Sequence, residues 1–266
     1  MIIHTGIDYD YLKTSRAVSD DINYHPHFHS TYEMLYTLDI GEAYYNIAAS
    51  KFRIGQHDLI IIKPGTLHNL EITGQQYERM VMYFSKENIH ADLYEFLQTT
   101  DKMYHVTDGS PIQALFGLLL ENSKIFSKEE FDRSLEGILN MILTHLKYSN
   151  EEKTMESVSA QNETINKILY YIEENITAPL NAENISEKFF VSKSWLSHNF
   201  KKHLNISLKK YINQKKLLQI ERLIAAGIPV CKAVESCSYN NYTTFFRQYK
   251  QYANKKPTDN KKTERP

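Results

Sequence analysis

One ten-residue pattern occurs twice in the C-terminal part of this chain, 49 residues apart, and no other feature restricts the fold as much. Ser192-Lys193-Ser194-Trp195-Leu196-Ser197-His198-Asn199-Phe200-Lys201 runs parallel to Asn241-Tyr242-Thr243-Thr244-Phe245-Phe246-Arg247-Gln248-Tyr249-Lys250. Leu196 answers to Phe245 and Phe200 to Tyr249, an apolar pair at i and i+4 beside a polar set, which predicts a helix with one packed and one free face. Ser192 and Asn241 stand at the head of each copy, where a side-chain oxygen can accept from an orphan amide of the first turn. Upstream, Leu180, Ala182 and Ile185 answer to Ile228, Val230 and Ala233 at an offset of 48, one less than the offset after the turns. The pattern predicts helix, tight turn, helix, twice, with the second turn one residue longer.

Charge divides the chain the same way. Residues 161–266 carry 18 Lys and Arg against 9 Asp and Glu, whereas residues 1–160 carry 13 against 23, so the net charge of −1 hides a basic half and an acidic half. That asymmetry is expected when only one domain meets a polyanion. Joined to the two helix-turn-helix patterns, it points to nucleic acid.

These residues resemble the AraC/XylS transcription regulators, whose DNA-binding domain is two helix-turn-helix units joined by one long helix. The resemblance covers about residues 165 to 258 and is closest over Ser192 to Lys202. Tyr211 through Gly227 is similar to the joining helix, with Lys216-Leu217 at the family's Arg-Leu and Leu223-Ile224 at its Leu-Leu, and Pro257 stands where the second unit ends. The resemblance implies double-stranded DNA as partner and a contact set of Lys193, Ser194, Ser197, His198, Lys201 and Lys202 in the first unit. In the second unit it implies Tyr242, Thr243, Thr244, Arg247 and Lys250. Trp195 is expected to pack against its own domain. The chain departs from the family at Ser186, where a small residue such as Ala is usual, and at Asn205, Asn254 and Ser238, where the family has glycine. Asn tolerates a positive φ, but the Cβ of Ser238 makes one costly.

The N-terminal half reads as strands first and helices later. Tyr32 to Leu38, Ala43 to Ile47, Lys51 to Ile54, Leu59 to Ile62, His68 to Thr73 and Arg79 to Phe84 are short β-rich runs broken by turns such as Asp39-Ile40-Gly41 and Thr73-Gly74-Gln75. Evenly spaced short strands suggest a small barrel or jelly roll. Helical spacing follows at Lys86 to Leu97, Ile112 to Glu121 and Glu129 to Tyr148. The last of these places Phe131, Leu135, Ile138, Leu139, Ile142 and Leu146 along one face, either core or a dimer seam; Leu135, Leu139 and Ile142 are expected at a homodimer seam.

Within the strands, His27-Phe28-His29, Glu33 and Pro64-Gly65-Thr66-Leu67-His68 resemble the two-part signature of the cupin barrel. Residues two apart on a strand share a face, so His27 and His29 can meet Glu33 and His68 from neighbouring strands. The expectation is an effector pocket lined by His27, His29, Glu33, Tyr45 and His68, taking a sugar or other metabolite, with no cofactor and no catalytic residue. The alternative is a metal site of His27, His29, Glu33 and His68, since three imidazoles and a carboxylate suit Fe, Mn, Ni or Zn. Tyr44-Tyr45 suits core packing or sugar stacking, and His25 and His57 are read as surface or hydrogen-bonded histidines.

The expected fold class is α+β: a cupin-like β-barrel with following helices over 1–150, a linker over 151–162, an all-α double helix-turn-helix domain over 163–258, and a disordered basic tail over 259–266. Two cysteines, Cys231 and Cys237, suggest a reduced compartment. The apolar run Leu115 to Leu120 is too short to span a bilayer and Met1-Ile2-Ile3-His4 does not open like a signal peptide, so a cytoplasmic location is expected. Function is then expected to be effector-controlled operator binding, with a metal-dependent cupin enzyme fused to a DNA-binding domain as the competing class. A DNA-binding protein that has lost its ligand and answers only to a protein partner is the third.

Overall fold

The computed structural model describes residues 7–14, 26–73, 76–99, 103–149, 152–153, 163–239, 241–253 and 257 of the 266. The expectations for His25, for the turn at Gly74-Gln75, for Asn254, for most of the linker and for the basic tail lie outside those residues. The chain divides into two compact units, one ending at Ser159 and one running from Ala160.

Among the described residues of the first unit, nine strands form two antiparallel sheets. One has the order β1 (Asp8–Thr14), β7 (Tyr77–Phe84), β2 (Tyr32–Ile40), β5 (Asp58–Ile62), β8 (Met103–His105), β9 (Glu152–Lys153); the other has the order β4 (Ser50–Ile54), β3 (Ala43–Ile47), β6 (His68–Ile72). An isolated bridge between His27 and His68 adds the His27 segment to the second sheet. Strands β1, β8 and β9 fall outside the runs expected from the sequence; the rest match their sequence signals within two residues.

The central strands are buried on both faces, and their alternation sorts residues into two cores. Tyr32, Met34 and Tyr36 of β2, Leu59 and Ile61 of β5, and Met80, Met82 and Phe84 of β7 face helices α1 (Ala91–Thr99), α2 (Pro111–Ile125) and α3 (Lys128–Tyr148). Leu35, Ile60, Ile62 and Val81 face the second sheet, with Tyr45, Phe52, Leu70 and Ile72. The single helix expected over Lys86 to Leu97 is broken: a 3-10 turn at Lys86–Asn88 ends in extended backbone at Ile89 before α1 begins.

One expectation is corrected here. Leu135, Leu139 and Ile142 are 1%, 0% and 0% exposed and belong to the core between α3 and the sheet, so they are not a dimer seam. The sheet's outer face is apolar along Met34, Tyr36, Leu59, Ile61, Met80 and Met82 and needs a cover there, and burying one such side chain is worth about 1.5–3 kcal/mol. A homodimer must use another surface.

Among its described residues the second unit is all helix: α4 (Glu163–Glu174), α5 (Ala182–Lys188), α6 (Lys193–Leu204), α7 (Leu208–Ala225), α8 (Val230–Ser236) and α9 (Tyr242–Ala253). Both expected caps form. Ser192 Oγ accepts from the Trp195 amide at 3.1 Å, and Asn241 Oδ1 from the Thr244 amide at 3.0 Å. Leu217, Ile220 and Ile224 of α7 pack with Val230, Ala233, Phe245 and Tyr249, while Ile185, Leu196 and Phe200 are buried in the first helix-turn-helix.

The two turns share a left-handed residue. Ser238 has φ 55° and its equivalent in the first unit, Phe190, has φ 53° although it is 96% exposed. Asn205, which caps α6, also takes this conformation, at 54°. A bulky residue there carries strain of about 1–2 kcal/mol. In the second turn the Ser238 hydroxyl offsets it by donating to the Thr177 carbonyl at 2.6 Å. Phe190→Gly is therefore expected to stabilise the second unit by about 1 kcal/mol. Ser238→Ala, which keeps the strain and loses the bond, is expected to cost about 0.5–1.5 kcal/mol, with Ser238→Gly near neutral. Urea unfolding followed by fluorescence of Trp195, the one tryptophan in the chain, reads this unit selectively. Equal midpoints for wild type and Phe190→Gly would remove the argument.

Candidate functional site

Two surfaces combine unusual chemistry with positions fixed by the fold: the free faces of α6 and α9, and a histidine cluster between the two sheets. Because Leu196, Phe200 and Leu204 turn α6 inward, Lys193, Ser194, Ser197, His198, Lys201 and Lys202 are left exposed on the opposite side. Lys193 is tied to Glu183 at 2.6 Å, and this bond holds the Glu183 carboxyl below its usual range. Trp195 is half-buried.

On α9 the buried pair Phe245 and Tyr249 leaves Tyr242, Thr243, Arg247 and Lys250 exposed. Thr244 differs from the other expected contacts. It is half-buried and lines a cavity with Ile212, Lys216, Ser238 and Tyr239, because it lies on the flank of α9 toward α7. Lys216 is 6% exposed beside that cavity, and burial pushes its ammonium below the usual lysine range.

The inter-sheet cluster follows from strand alternation. On β2, Glu33 points away from the helices with Leu35; β3 turns Tyr45 to meet it, and the β6 bridge brings His68 beside His27. His29 Nε2 lies 3.0 Å and His68 Nε2 3.2 Å from Glu33 Oε2, and the Tyr45 hydroxyl donates to Glu33 Oε1 at 2.8 Å. The rings of His27 and His68 are 4.4 Å apart. Ligand-type atoms of His27, His29, Glu33 and His68 all lie within 4.8 Å of one another. Burial pushes the Glu33 carboxyl up, but the adjacent imidazoles of His29 and His68 outweigh it and hold the group well below its usual range. Burial and the Glu33 charge push the Tyr45 phenol well above its own.

All five residues expected at this site thus sit together. Arg79 was not expected there. It is 4% exposed, pairs with Asp10 at 2.9 Å and lines the same cavity as His27 and Glu33. The signal for it was available: on β7 an arginine alternates in phase with Val81 and Tyr83, on the face turned from Met80, Met82 and Phe84. Elsewhere His57 bonds Asp108 at 2.8 Å, and Tyr44 points outward to Glu42.

Two family patterns match the chain, one described as an AraC-like ligand binding domain over residues 14–143 and one as a helix-turn-helix domain over 185–263. The multiple antibiotic resistance protein MarA of Escherichia coli is 34% identical over 90 residues, 34% of this chain and 71% of MarA. The HTH-type transcriptional regulator YfiF of Bacillus subtilis is 22% identical over 218 residues, 78% of this chain and 69% of YfiF. Among solved structures, ToxT from Vibrio cholerae covers 96% of this chain and 97% of its own at 13% identity, with a TM-score of 0.41, too distant a likeness to bear on the site. Among the described residues no helix is long and apolar enough to cross a membrane.

Proposed function

Because the chain belongs to the AraC family of helix-turn-helix transcriptional regulators, we propose that α6 and α9 each lay their exposed face in a major groove of one operator and that a small effector between the two sheets adjusts operator affinity. The observation that carries this reading is the duplicated exposed set, Ser194, Ser197 and His198 on α6 and Thr243 and Arg247 on α9, on two capped helices that each pack against α7. Base edges are read by such side chains, whereas Lys193, Lys201, Lys202 and Lys250 are placed to hold phosphates. The effector acts by linkage: it shifts operator affinity by as much as its own affinity differs between the free and DNA-bound states.

The test is selection. Genomic fragments retained by the full-length protein are sequenced, and one enriched motif with two separately read parts is expected. Exchanging Ser197 and His198 should change base preference in one part and leave the other unaltered. Recovery of fragments in the proportions of the input would overturn the reading.

A further inference from the structure

We propose that the inter-sheet cluster binds one divalent transition-metal ion through the imidazoles of His27, His29 and His68 and the carboxylate of Glu33, and that this ion is the effector. The proposal rests on the regulator reading and narrows it. Its first support is where the protons are. His29 Nδ1 lies 2.8 Å from the Thr31 carbonyl oxygen, and His68 Nδ1 lies 2.8 Å from the Thr66 carbonyl oxygen. A carbonyl oxygen only accepts, so each Nδ1 carries the hydrogen, and in the neutral ring each Nε2 presents a lone pair. Both Nε2 atoms face the same oxygen, Glu33 Oε2, and an ionised carboxylate also only accepts. Three lone-pair atoms therefore converge in a buried space, which repels them unless a positive species sits among them.

The surrounding bonds are those that orient ligands in a metal centre. A ring N–H given to a backbone carbonyl fixes the tautomer, and a hydrogen bond to the second carboxylate oxygen, here from Tyr45, turns the first toward the ion. Distances agree. Metal–ligand bonds of about 2.0–2.2 Å put ligand atoms about 3.4 Å apart in a tetrahedral shell, and about 3 Å or 4.2 Å apart in an octahedral one. One ligand atom from each of the four already lies within 4.8 Å of the others, so side-chain shifts of about an ångström close the site. Imidazole in three of the four positions selects Zn, Cu, Fe or Ni over Mg or Ca.

Size separates an ion from an organic effector. The cavity bounded by His27, Glu33, Tyr45, Arg79 and Tyr83 has a volume of ≈ 20 Å³. That is room for about one water, whereas sites for small organic molecules run to about 300–1,000 Å³. The residual space suits a water or a small anion completing the coordination shell. Two protons, one on each Nε2, are the competing occupant, and they give a different experimental result.

Full-length protein purified without a His-tag and stripped with a chelator is titrated with Co(II) alone, followed by visible absorption and calorimetry. The expected result is one ion per chain with a ligand-field band, bleached by Zn(II). Glu33→Gln and His29→Ala should lose the band, and His90→Ala, an exposed histidine elsewhere, should keep it. Tyr45→Phe retains the ring and removes only the bond to Glu33, so it should weaken binding by about 10–100-fold without unfolding the unit. No band in wild type, or equal binding by wild type and His29→Ala, would overturn the site. Operator titrations with and without Zn(II) test the second half, and unchanged affinity would remove the ion as effector. Stripped protein that still selects its operator but takes no ion leaves the regulator reading standing and ends this one. Failure to select any DNA would end the regulator reading itself.

Discussion

Leu135→Glu combined with Ile142→Glu is expected to unfold the N-terminal unit. Both side chains are buried among Met34, Tyr36, Met80 and Met82 beneath α3. The double variant loses about 1.5–3 kcal/mol of burial at each position. It also forces two carboxylates into an apolar core at several kcal/mol each. Their sum reaches the whole stability of an ordinary domain, about 5–15 kcal/mol. Circular dichroism and size-exclusion chromatography should show lost sheet signal and aggregation. Met141→Glu on the opposite side of the same helix, where Met141 is 52% exposed, should change stability by about 0.5 kcal/mol or less. A soluble, folded monomer from the double variant would restore the dimer seam and remove the assignment of this face to the core.

Arg247→Ala is expected to weaken cognate operator binding by about 1–3 kcal/mol, roughly 5- to 150-fold in Kd, and to spare binding to scrambled DNA. The guanidinium is exposed on α9, on the side away from Phe245 and Tyr249, where it can give two hydrogen bonds to the O6 and N7 of one guanine. The same residue used on a phosphate would behave otherwise: cognate and scrambled affinities would fall together, and the salt dependence would become shallower by about one unit of slope. Fluorescence anisotropy on both duplexes at several salt concentrations separates the two outcomes.

The second unit was legible because its signals are short-range. A cap is decided within four residues, as Ser192 with Trp195 and Asn241 with Thr244 show. The change of offset from 48 to 49 places an extra residue in the second turn, and the matched left-handed residues Phe190 and Ser238 before it agree with that register. Ser238 was expected to resist this conformation, and it does not, because its hydroxyl reaches a carbonyl 61 residues away. Phe190 was not recognised as its counterpart, since nothing in a bulky aromatic suggests a positive φ.

In the first unit the sequence determined less. Alternation identified β2 to β7 and therefore the shared face of Glu33 and Leu35, and the spacing of His27, His29 and His68 was enough to expect a cluster. Strand β1 alternates but shows no unbroken apolar face, and the three-residue β8 and two-residue β9 are too short to carry a period. By itself the sequence determined which segments form helices and strands and which of their faces are apolar, since periodicity and capping are properties of a few consecutive residues. Only the tertiary structure decided what covers each face: the stripe on α3 went to the sheet, Arg79 went to the cavity wall, and the carbonyls of Thr31 and Thr66 fixed the tautomers of His29 and His68. The reason is physical. Burial of apolar area is non-directional and satisfied by any adequate partner, and the choice among partners is made by packing between elements distant in sequence.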